Sequence, residues 1–306
     1  MKYTELRKSL NVSRIAFGCW RMDALSDRDA VNVVNNALEN GINFFDNADI
    51  YGGGVSEEKF GQAVKALGCK REDLIIQSKA GIFLEENYYD FSRDHILEAV
   101  DGSLKRMQTE YMDILLLHRP DTLFEPEEVA EAFDILQQSG KVRWFGVSNQ
   151  NPGQIELLKK YVRQDLIVNQ MQFSVMHSGM VDSGLAVNNN FNVSIVKDGG
   201  ILEYSRLHDI RLQAWSPFQY GLFEGVYIGN PKFPELNQML EKIGEEQGVS
   251  GSAVAAAWIL RHPAFAQIVS GSMTPSRLDD VCRAVDVELT KKQWYDIYKA
   301  AGKIVP

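Results

Sequence analysis

Three ionisable residues end short apolar segments of the sequence, and a fourth follows one of them closely. Asp46, Lys79 and His118 each end a segment of apolar or β-branched residues, and Tyr51 lies five residues after Asp46 beside three glycines. An ionisable group that ends an apolar segment is buried at least in part, and a buried charge needs a polar partner. The pattern therefore predicts one site at which these four groups meet.

The chemistry that these residue types suggest is proton transfer. A tyrosine has an ordinary pKa of about 10, and a neighbouring ammonium such as Lys79 is expected to stabilise the phenolate and lower that pKa. Asp46 would keep Lys79 charged, and a neutral His118 would orient a carbonyl oxygen toward the Tyr51 hydroxyl. Each residue alone also has a purely structural explanation, as a packing tyrosine, a solvated lysine or a hydrogen-bonded histidine. Only the combination predicts catalysis.

An alternation of strand and helix patterns supplies the elements that would position these groups. Eight candidate strands precede eight helical segments, which predicts a (β/α)8 TIM barrel with its active site at the carboxyl ends of the strands. A doubly wound sheet is the alternative, but the first strand ends in Gly18-Cys19-Trp20-Arg21-Met22 rather than in a GxGxxG turn. The predicted strands are Ile15–Gly18, Asn43–Asp46, Leu74–Lys79, Met112–His118, Trp144–Ser148, Ile167–Phe173, Arg211–Ser216 and Gln267–Ser270. The predicted helices are Asp27–Asn40, Val55–Ala66, Arg93–Met107, Pro126–Gln138, Gln154–Tyr161, Gly200–His208, Pro234–Gln247 with Ser252–Arg261, and Pro275–Ala284.

Three segments lie outside this alternation. Residues 1–14 are expected to form a β-hairpin with Ser9-Leu10-Asn11 at its turn, and the tail from Thr290 to Pro306 is expected to add a helix. Residues 174–198 are predicted to be a long irregular connection and a candidate lid, because loops of this length are unusual unless they are functional. Its members Met176, His177, Met180 and Phe191 are candidates for substrate selection. We expect one domain over residues 1–306.

Composition excludes several classes of protein. The chain has 306 residues, of which 45% are hydrophobic and 24% charged, as in an ordinary globular protein. Its net charge of −9 predicts no general attraction to nucleic acid or to an anionic membrane. The three cysteines form no pair typical of a metal site or a disulfide framework, and no signal peptide or membrane span is evident. We expect a cytoplasmic protein without a metal, as a monomer or a small homo-oligomer.

Motifs distributed along the chain resemble those of the aldo-keto reductases. The resemblance implies reversible hydride transfer between a nicotinamide cofactor and a carbonyl carbon of a small-molecule substrate. It implies a catalytic tetrad of Asp46, Tyr51, Lys79 and His118, in which Tyr51 is the general acid in reduction and the general base in alcohol oxidation. The motifs are GCW at Gly18, NFFDNADIYGGG at Asn43, SKAG at Ser78, DILLLHRPD at Asp113, GKVRWFGVSN at Gly140 and NQMQFS at Asn169.

The same resemblance implies a set of cofactor contacts and favours NADPH over NADH. The nicotinamide carboxamide would contact Ser148, Asn149 and Gln170, and Trp215 would stack on the nicotinamide ring unless it is a core aromatic. The loop that begins with Ser216, Gly221 and Leu222 would cover the pyrophosphate, and Ser272 and Arg277 would hold the 2′-phosphate at a helix start. Two departures from the family pattern are Gly271, where some members have lysine, and Asp280-Val281, where some have Glu-Asn.

Substrate contacts are predicted only from position. Four residues lie in or beside rim loops and are candidates for the substrate pocket: Trp20, Phe83, Tyr88 and Arg119. Arg119 either contacts an acidic substrate or pairs with a neighbouring acid.

The function that we expect is that of a reductase of aldehydes or ketones. One alternative is an NADP(H)-binding regulatory subunit with little turnover, like the potassium-channel β subunits of this family. Another is an unrelated barrel hydrolase or isomerase, which the absence of an HxH motif on the first strand disfavours.

Overall fold

The architecture is a closed barrel of eight parallel strands. A computed structural model describes residues 1–306, and its barrel contains β3 to β5 and β8 to β12, with neighbouring strands paired in chain order and the last paired with the first. The predicted barrel and all eight predicted strands are confirmed, with ends within two residues of those observed. The strands are β1 (Tyr3–Arg7), β2 (Leu10–Ser13), β3 (Ile15–Gly18), β4 (Phe44–Asp46), β5 (Ile75–Ala80), β6 (Ile82–Phe83), β7 (Tyr88–Tyr89), β8 (Met112–Leu117), β9 (Val142–Ser148), β10 (Leu166–Gln172), β11 (Arg211–Trp215) and β12 (Phe265–Ser270).

Helices follow the barrel strands as the periodicity predicts. Ser26 and Ser92 cap the first turns of α1 and α3 with their side-chain oxygens, so the local sequence determines where these helices begin. None of the helices combines the length and the apolar character needed to span a bilayer. The helices are α1 (Asp27–Glu39), α2 (Val55–Ala66), α3 (Arg93–Met107), α4 (Pro126–Gln138), α5 (Pro152–Lys159), α6 (Gly179–Leu185), α7 (Ile201–Leu207), α8 (Pro234–Gln247), α9 (Gly251–Arg261), α10 (Pro275–Cys282) and α11 (Lys291–Ala300).

The N-terminal hairpin closes the barrel at the amino ends of its strands. Leu6, Leu10 and Val12 are buried in the same apolar cluster as the residues that fill the barrel lumen. The predicted hairpin is confirmed, but the predicted turn at Ser9-Leu10-Asn11 is wrong. The turn consists of Lys8 and Ser9, and Ser9 takes a left-handed φ of 70°. Leu10 is the first residue of β2 because its side chain is buried against the lumen.

Side-chain alternation along the strands determines which groups reach the lumen. Phe44 and Leu116 belong to the lumen cluster, whereas Phe45 belongs to the larger core between the strands and the helices. Successive strand residues point to opposite faces, so residues two positions apart share a face. Asp46 and His118 therefore follow Phe44 and Leu116 to the lumen side, at the carboxyl ends of β4 and β8.

The connection between β10 and α7 is more ordered than predicted. It contains α6, whose Asp182 accepts hydrogen bonds from Tyr298 Oη and Lys303 Nζ, each at 2.9 Å. Met180 is buried in the main core, whereas Phe191 is exposed. The expectation of an irregular lid is therefore wrong for the first half of this connection, because Asp182 fastens it to the C-terminal segment that contains the predicted extra helix, α11.

Candidate active site

Asp46, Lys79 and Tyr51 meet at the carboxyl end of the barrel. Lys79 Nζ lies 2.8 and 2.9 Å from the two Asp46 carboxylate oxygens, and it donates to the Asn47 carbonyl at 2.8 Å and to Tyr51 Oη at 3.0 Å. An ammonium has three protons, and these three partners account for all of them. The His118 ring stands edge-on to the Tyr51 ring, with 6.0 Å between their centres. The structure thus brings the four predicted catalytic residues together.

Glycines allow the loop after β4 to place Tyr51 over Lys79. Gly52 and Gly54 have φ values of 57° and 95°, in the left-handed region that favours glycine. A Cβ atom on Gly52 would lie 2.4 Å from the Asp23 Cβ, and one on Gly54 would lie 2.7 Å from the Arg106 Cδ. Glycine is therefore favoured at positions 52 and 54 by both the backbone conformation and the close packing around them.

The ion pair keeps Lys79 charged although it is buried. Burial alone lowers the pKa of Lys79, but the Asp46 carboxylate and the Tyr51 hydroxyl outweigh burial and raise that pKa above its ordinary value. Burial lowers the pKa of His118 well below its ordinary value, and the positive charges of Lys79 and Arg119 lower it further, so His118 is neutral at neutral pH.

The Tyr51 pKa differs from the expectation. Burial raises the pKa of Tyr51, the Lys79 ammonium opposes this rise without reversing it, and the Asp46 carboxylate adds to it. Lys79 therefore acts on the Tyr51 pKa in the predicted direction, but burial outweighs it and the net shift is upward. Tyr51 is therefore a protonated phenol at neutral pH.

A row of buried glutamines supports Asp46 from below. Gln77 Nε2 donates to Asp46 Oδ1 at 2.7 Å and to Gln213 Oε1 at 3.0 Å. Gln213 donates to Gln267 at 2.8 Å, and Gln267 donates to the Ser13 carbonyl at 2.7 Å. This chain of amides crosses the lumen and was not predicted. The sequence carries a signal for it, because Gln77 and Gln213 lie two residues before Lys79 and Trp215 and so face the same side of their strands.

Four predicted nicotinamide contacts form a connected group beside Asp46. The Ser148 hydroxyl donates to the Gln170 carbonyl at 2.9 Å and accepts from Asn149 Nδ2 at 2.8 Å, while Trp215 Nε1 donates to Asn149 Oδ1 at 3.1 Å. Gln170 Nε2 donates to Asp46 Oδ1 at 2.9 Å and to Gln213 Oε1 at 3.2 Å. Gln170 Oε1 has no protein donor and remains able to accept a hydrogen bond.

The predicted phosphate contacts lie on the loops after two neighbouring strands. Ser216 and Gly221 have left-handed φ values of 51° and 61° in the loop after β11, where Leu222 is exposed. After β12, the Ser272 hydroxyl accepts from the Thr274 amide at 3.3 Å, and the exposed Arg277 lies in the first turn of α10. Arg277 makes no ion pair in the structure. The two loops are adjacent because β11 pairs with β12.

Aromatic residues surround the rim, although not all in the predicted way. The Phe223 ring lies 5.4 Å from that of Trp20 and 6.2 Å from that of Trp215. Sequence reasoning missed Phe223, which carries no local signal in an irregular loop. The Phe83 ring stacks on that of Tyr88 at 4.5 Å and lies tilted against that of His95 at 4.4 Å, so its contacts are within the β6–β7 hairpin and with α3.

Arg119 is a half-buried cation on this rim. Its guanidinium carbon lies 5.4 Å from the centre of the Trp215 ring, and the side chain forms no ion pair. The nearest acid in sequence, Asp121, accepts instead from the amides of Phe91 at 3.0 Å and Leu123 at 2.8 Å. The alternative that Arg119 pairs with a neighbouring acid is therefore wrong.

Comparisons with known proteins identify the family of this chain. The model of the Aldo/keto reductase family matches residues 14–301. The chain is 34% identical over 318 residues to a 6-dehydroglucose reductase of Agrobacterium fabrum, covering 100% of both chains. It is 30% identical over 319 residues to a probable voltage-gated potassium channel subunit beta of Arabidopsis thaliana, covering 94% of this chain and 92% of that protein.

A solved structure shows the same fold. It is the structure of a thermostable aldo-keto reductase in complex with the inhibitor epalrestat. The two chains superpose with a TM-score of 0.79 at 24% sequence identity, over 98% of this chain and 100% of that one. Because the family model covers nearly the whole chain, this protein belongs to the aldo/keto reductase family, oxidoreductases that act on small carbonyl compounds with a nicotinamide cofactor.

Proposed function

We propose that this protein reduces aldehydes or ketones, and oxidises the corresponding alcohols in reverse, with NADP(H) as its cofactor and Tyr51 as the proton donor. The contact of 3.0 Å between Lys79 Nζ and Tyr51 Oη carries the proposal. Asp46 holds the same ammonium at 2.8 Å inside the barrel. A buried cation fixed against a phenol is what a tyrosine acid needs, because the cation stabilises the phenolate that forms.

The chain's own residues fit a nicotinamide. The Trp215 ring is half-buried and offers a flat aromatic surface, and Gln170 Oε1 is available to accept from a carboxamide. Ser148 and Asn149 would hold the other edge of the carboxamide. A nicotinamide bound there supplies a hydride to the carbonyl carbon of the substrate.

The tetrad would then handle the proton. Tyr51 Oη gives its proton to the carbonyl oxygen, and the electron pair left on the phenolate faces the Lys79 ammonium. His118 Nδ1 is buried without a partner, which leaves Nε2 to orient the carbonyl oxygen. In the reverse direction the phenolate accepts the proton of the alcohol.

The preference for NADPH rests on Arg277. An acidic protein attracts a phosphate only through a local cation, and Arg277 is an exposed guanidinium without an acidic partner at the start of α10. A guanidinium matches a phosphate bidentately, and the helix N-terminus adds backbone donors.

Replacing Tyr51 with Phe tests the proposal. The variant lacks the proton donor, so its rate of aldehyde reduction, followed by NADPH absorbance, is expected to fall by at least about 100-fold. The affinity for NADPH, measured by fluorescence titration, is expected to stay unchanged because no proposed cofactor contact is lost. Tyr295→Phe, on the outer helix α11, serves as the control with unchanged rates. Retained turnover in Tyr51→Phe would refute the assigned role.

A regulatory subunit with little turnover is the second candidate, supported by the similarity to a potassium channel subunit beta. The two candidates differ in sustained catalysis. With excess NADPH and a panel of aldehydes, ketones and quinones, a reductase consumes many equivalents of NADPH per protein chain, whereas a regulatory subunit stops near one. We expect many turnovers, because the tetrad is complete.

A further inference from the structure

The rim of the barrel holds a half-buried cation that nothing in the protein neutralises. Arg119 makes neither an ion pair nor a side-chain hydrogen bond. A half-buried charge costs free energy unless a partner compensates it. The cost is visible in the pKa of Arg119, which burial lowers and which the nearby Tyr89 and Tyr51 hydroxyls only partly restore.

The charges that face Arg119 from neighbouring elements do not compensate it. His118 is neutral, Lys79 is positive and fully engaged by Asp46, and the Asp121 carboxylate accepts from two backbone amides. The guanidinium carbon lies 5.4 Å from the centre of the Trp215 ring, and its N–H groups have no partner in the protein.

We propose that Arg119 binds a carboxylate of the substrate, so that the preferred substrates are aldehydes or ketones that carry an acid group. The inference rests on the proposed function, because it takes the reacting carbonyl to lie at Tyr51 and His118. The Arg119 guanidinium lies at Trp215, the residue proposed to stack on the nicotinamide, so it stands at the nicotinamide end of the cofactor and not at the phosphate end. Ser272 and Arg277, on the loop after β12, are the residues proposed for that end. A guanidinium and a carboxylate are planar groups that pair through two parallel hydrogen bonds.

A pair of matched aldehydes tests this assignment. 4-Carboxybenzaldehyde and methyl 4-formylbenzoate place the carbonyl identically and differ in charge at the far end. The native protein is expected to have the higher kcat/KM for the carboxylate. Arg119→Gln should reduce kcat/KM for the carboxylate by about 10- to 100-fold, the value of a hydrogen bond to a charged group, and change that for the ester less than threefold. Arg119→Lys should keep part of the preference.

Arg21 provides the control for a general loss of positive charge. Its guanidinium lies over the exposed Trp20 ring at 5.3 Å, on the same rim but outside the proposed carboxylate contact. Arg21→Gln is expected to leave the ratio of the two kcat/KM values unchanged. The assignment is overturned if Arg119→Gln affects both aldehydes equally, if Arg21→Gln abolishes the preference, or if Arg119→Gln raises only the KM for NADPH.

A binding measurement separates failure of this inference from failure of the proposed function. If the native protein reduces neither aldehyde, the proposed function fails, and calorimetric titration with benzoate and benzamide still reports on Arg119. Benzoate is expected to bind more tightly than benzamide to the native protein, and Arg119→Gln should remove that difference. Equal affinities for benzoate in the native protein and in Arg119→Gln would overturn the inference.

Discussion

Replacing Asp46 with Asn removes one charge from a buried ion pair and keeps the shape of the side chain. The Lys79 and Asp46 side chains are 0% and 3% exposed, and Lys79 Nζ lies 2.8 Å from Asp46 Oδ1. Water therefore cannot solvate the Lys79 ammonium when the carboxylate is removed. Removing one partner of a buried ion pair costs about 3–5 kcal/mol. Asn retains some hydrogen bonding to Lys79, so we expect a loss near the lower end, about 3 kcal/mol of unfolding free energy at pH 7.

The size of this loss should depend on pH. In the native protein the pKa of Lys79 is raised, so the ion pair stabilises the fold fully below the unfolded lysine pKa of about 10.4 and is lost only as the pH rises through the folded value. Asp46→Asn removes the carboxylate charge that raises the pKa of Lys79 most, so burial lowers that pKa in the variant. The folded variant then gains stability as the pH rises toward about 10.4, and the difference from the native protein becomes smaller.

Urea unfolding at pH 7 and pH 9.5 measures both effects. Gln77→Leu is the matched control, because it removes the 2.7 Å hydrogen bond to the same carboxylate without changing charge. Gln77→Leu also removes the 3.0 Å hydrogen bond to Gln213 Oε1, but Gln170 Nε2 still donates to that oxygen and to Asp46 Oδ1. Because Gln77 Oε1 has no partner, the variant leaves none of these acceptors without a donor, and we expect a smaller loss that is the same at both pH values. A loss in Asp46→Asn that equals the control and does not change with pH would refute the reasoning.

Two further predictions concern the cofactor and the Tyr51 loop. Arg277→Ala should weaken NADPH binding by at least about tenfold and leave NADH binding nearly unchanged, as measured by fluorescence titration, because only NADPH has the 2′-phosphate; equal losses would remove that role. Gly52→Ala should lower the unfolding free energy by about 1–3 kcal/mol in urea, because the residue has φ +57° and its Cβ would meet Asp23. A stability equal to that of the native protein would show that the loop accommodates a side chain there.

Local patterns in the sequence were sufficient to predict the barrel and the tetrad. Each barrel strand is a short apolar segment, and Asp46, Lys79 and His118 end three of them, so pattern and chain order place these groups on one rim. The boundaries of α2, α3 and α4 were predicted to the residue because turn and capping residues mark their ends.

The features that were missed depend on contacts between distant parts of the chain. Asp182 fastens α6 to Tyr298, which lies 116 residues away, and no local pattern reports such a bond. The direction of the Tyr51 pKa shift depends on how deeply the residue is buried, which spacing does not give. The position of Phe223 between Trp20 and Trp215 depends on the path of an irregular loop.

The central claim is direct hydride transfer to a carbonyl carbon at the Tyr51 rim. NADPH that carries deuterium at both C4 positions, incubated with the native protein and 4-carboxybenzaldehyde, tests it in one measurement by mass spectrometry of the alcohol. The account predicts one deuterium on the carbinol carbon of the product, and at least about 100-fold less of this alcohol in the same time when Tyr51→Phe replaces the native protein. An alcohol without deuterium, or no alcohol from any carbonyl compound tested, would contradict it.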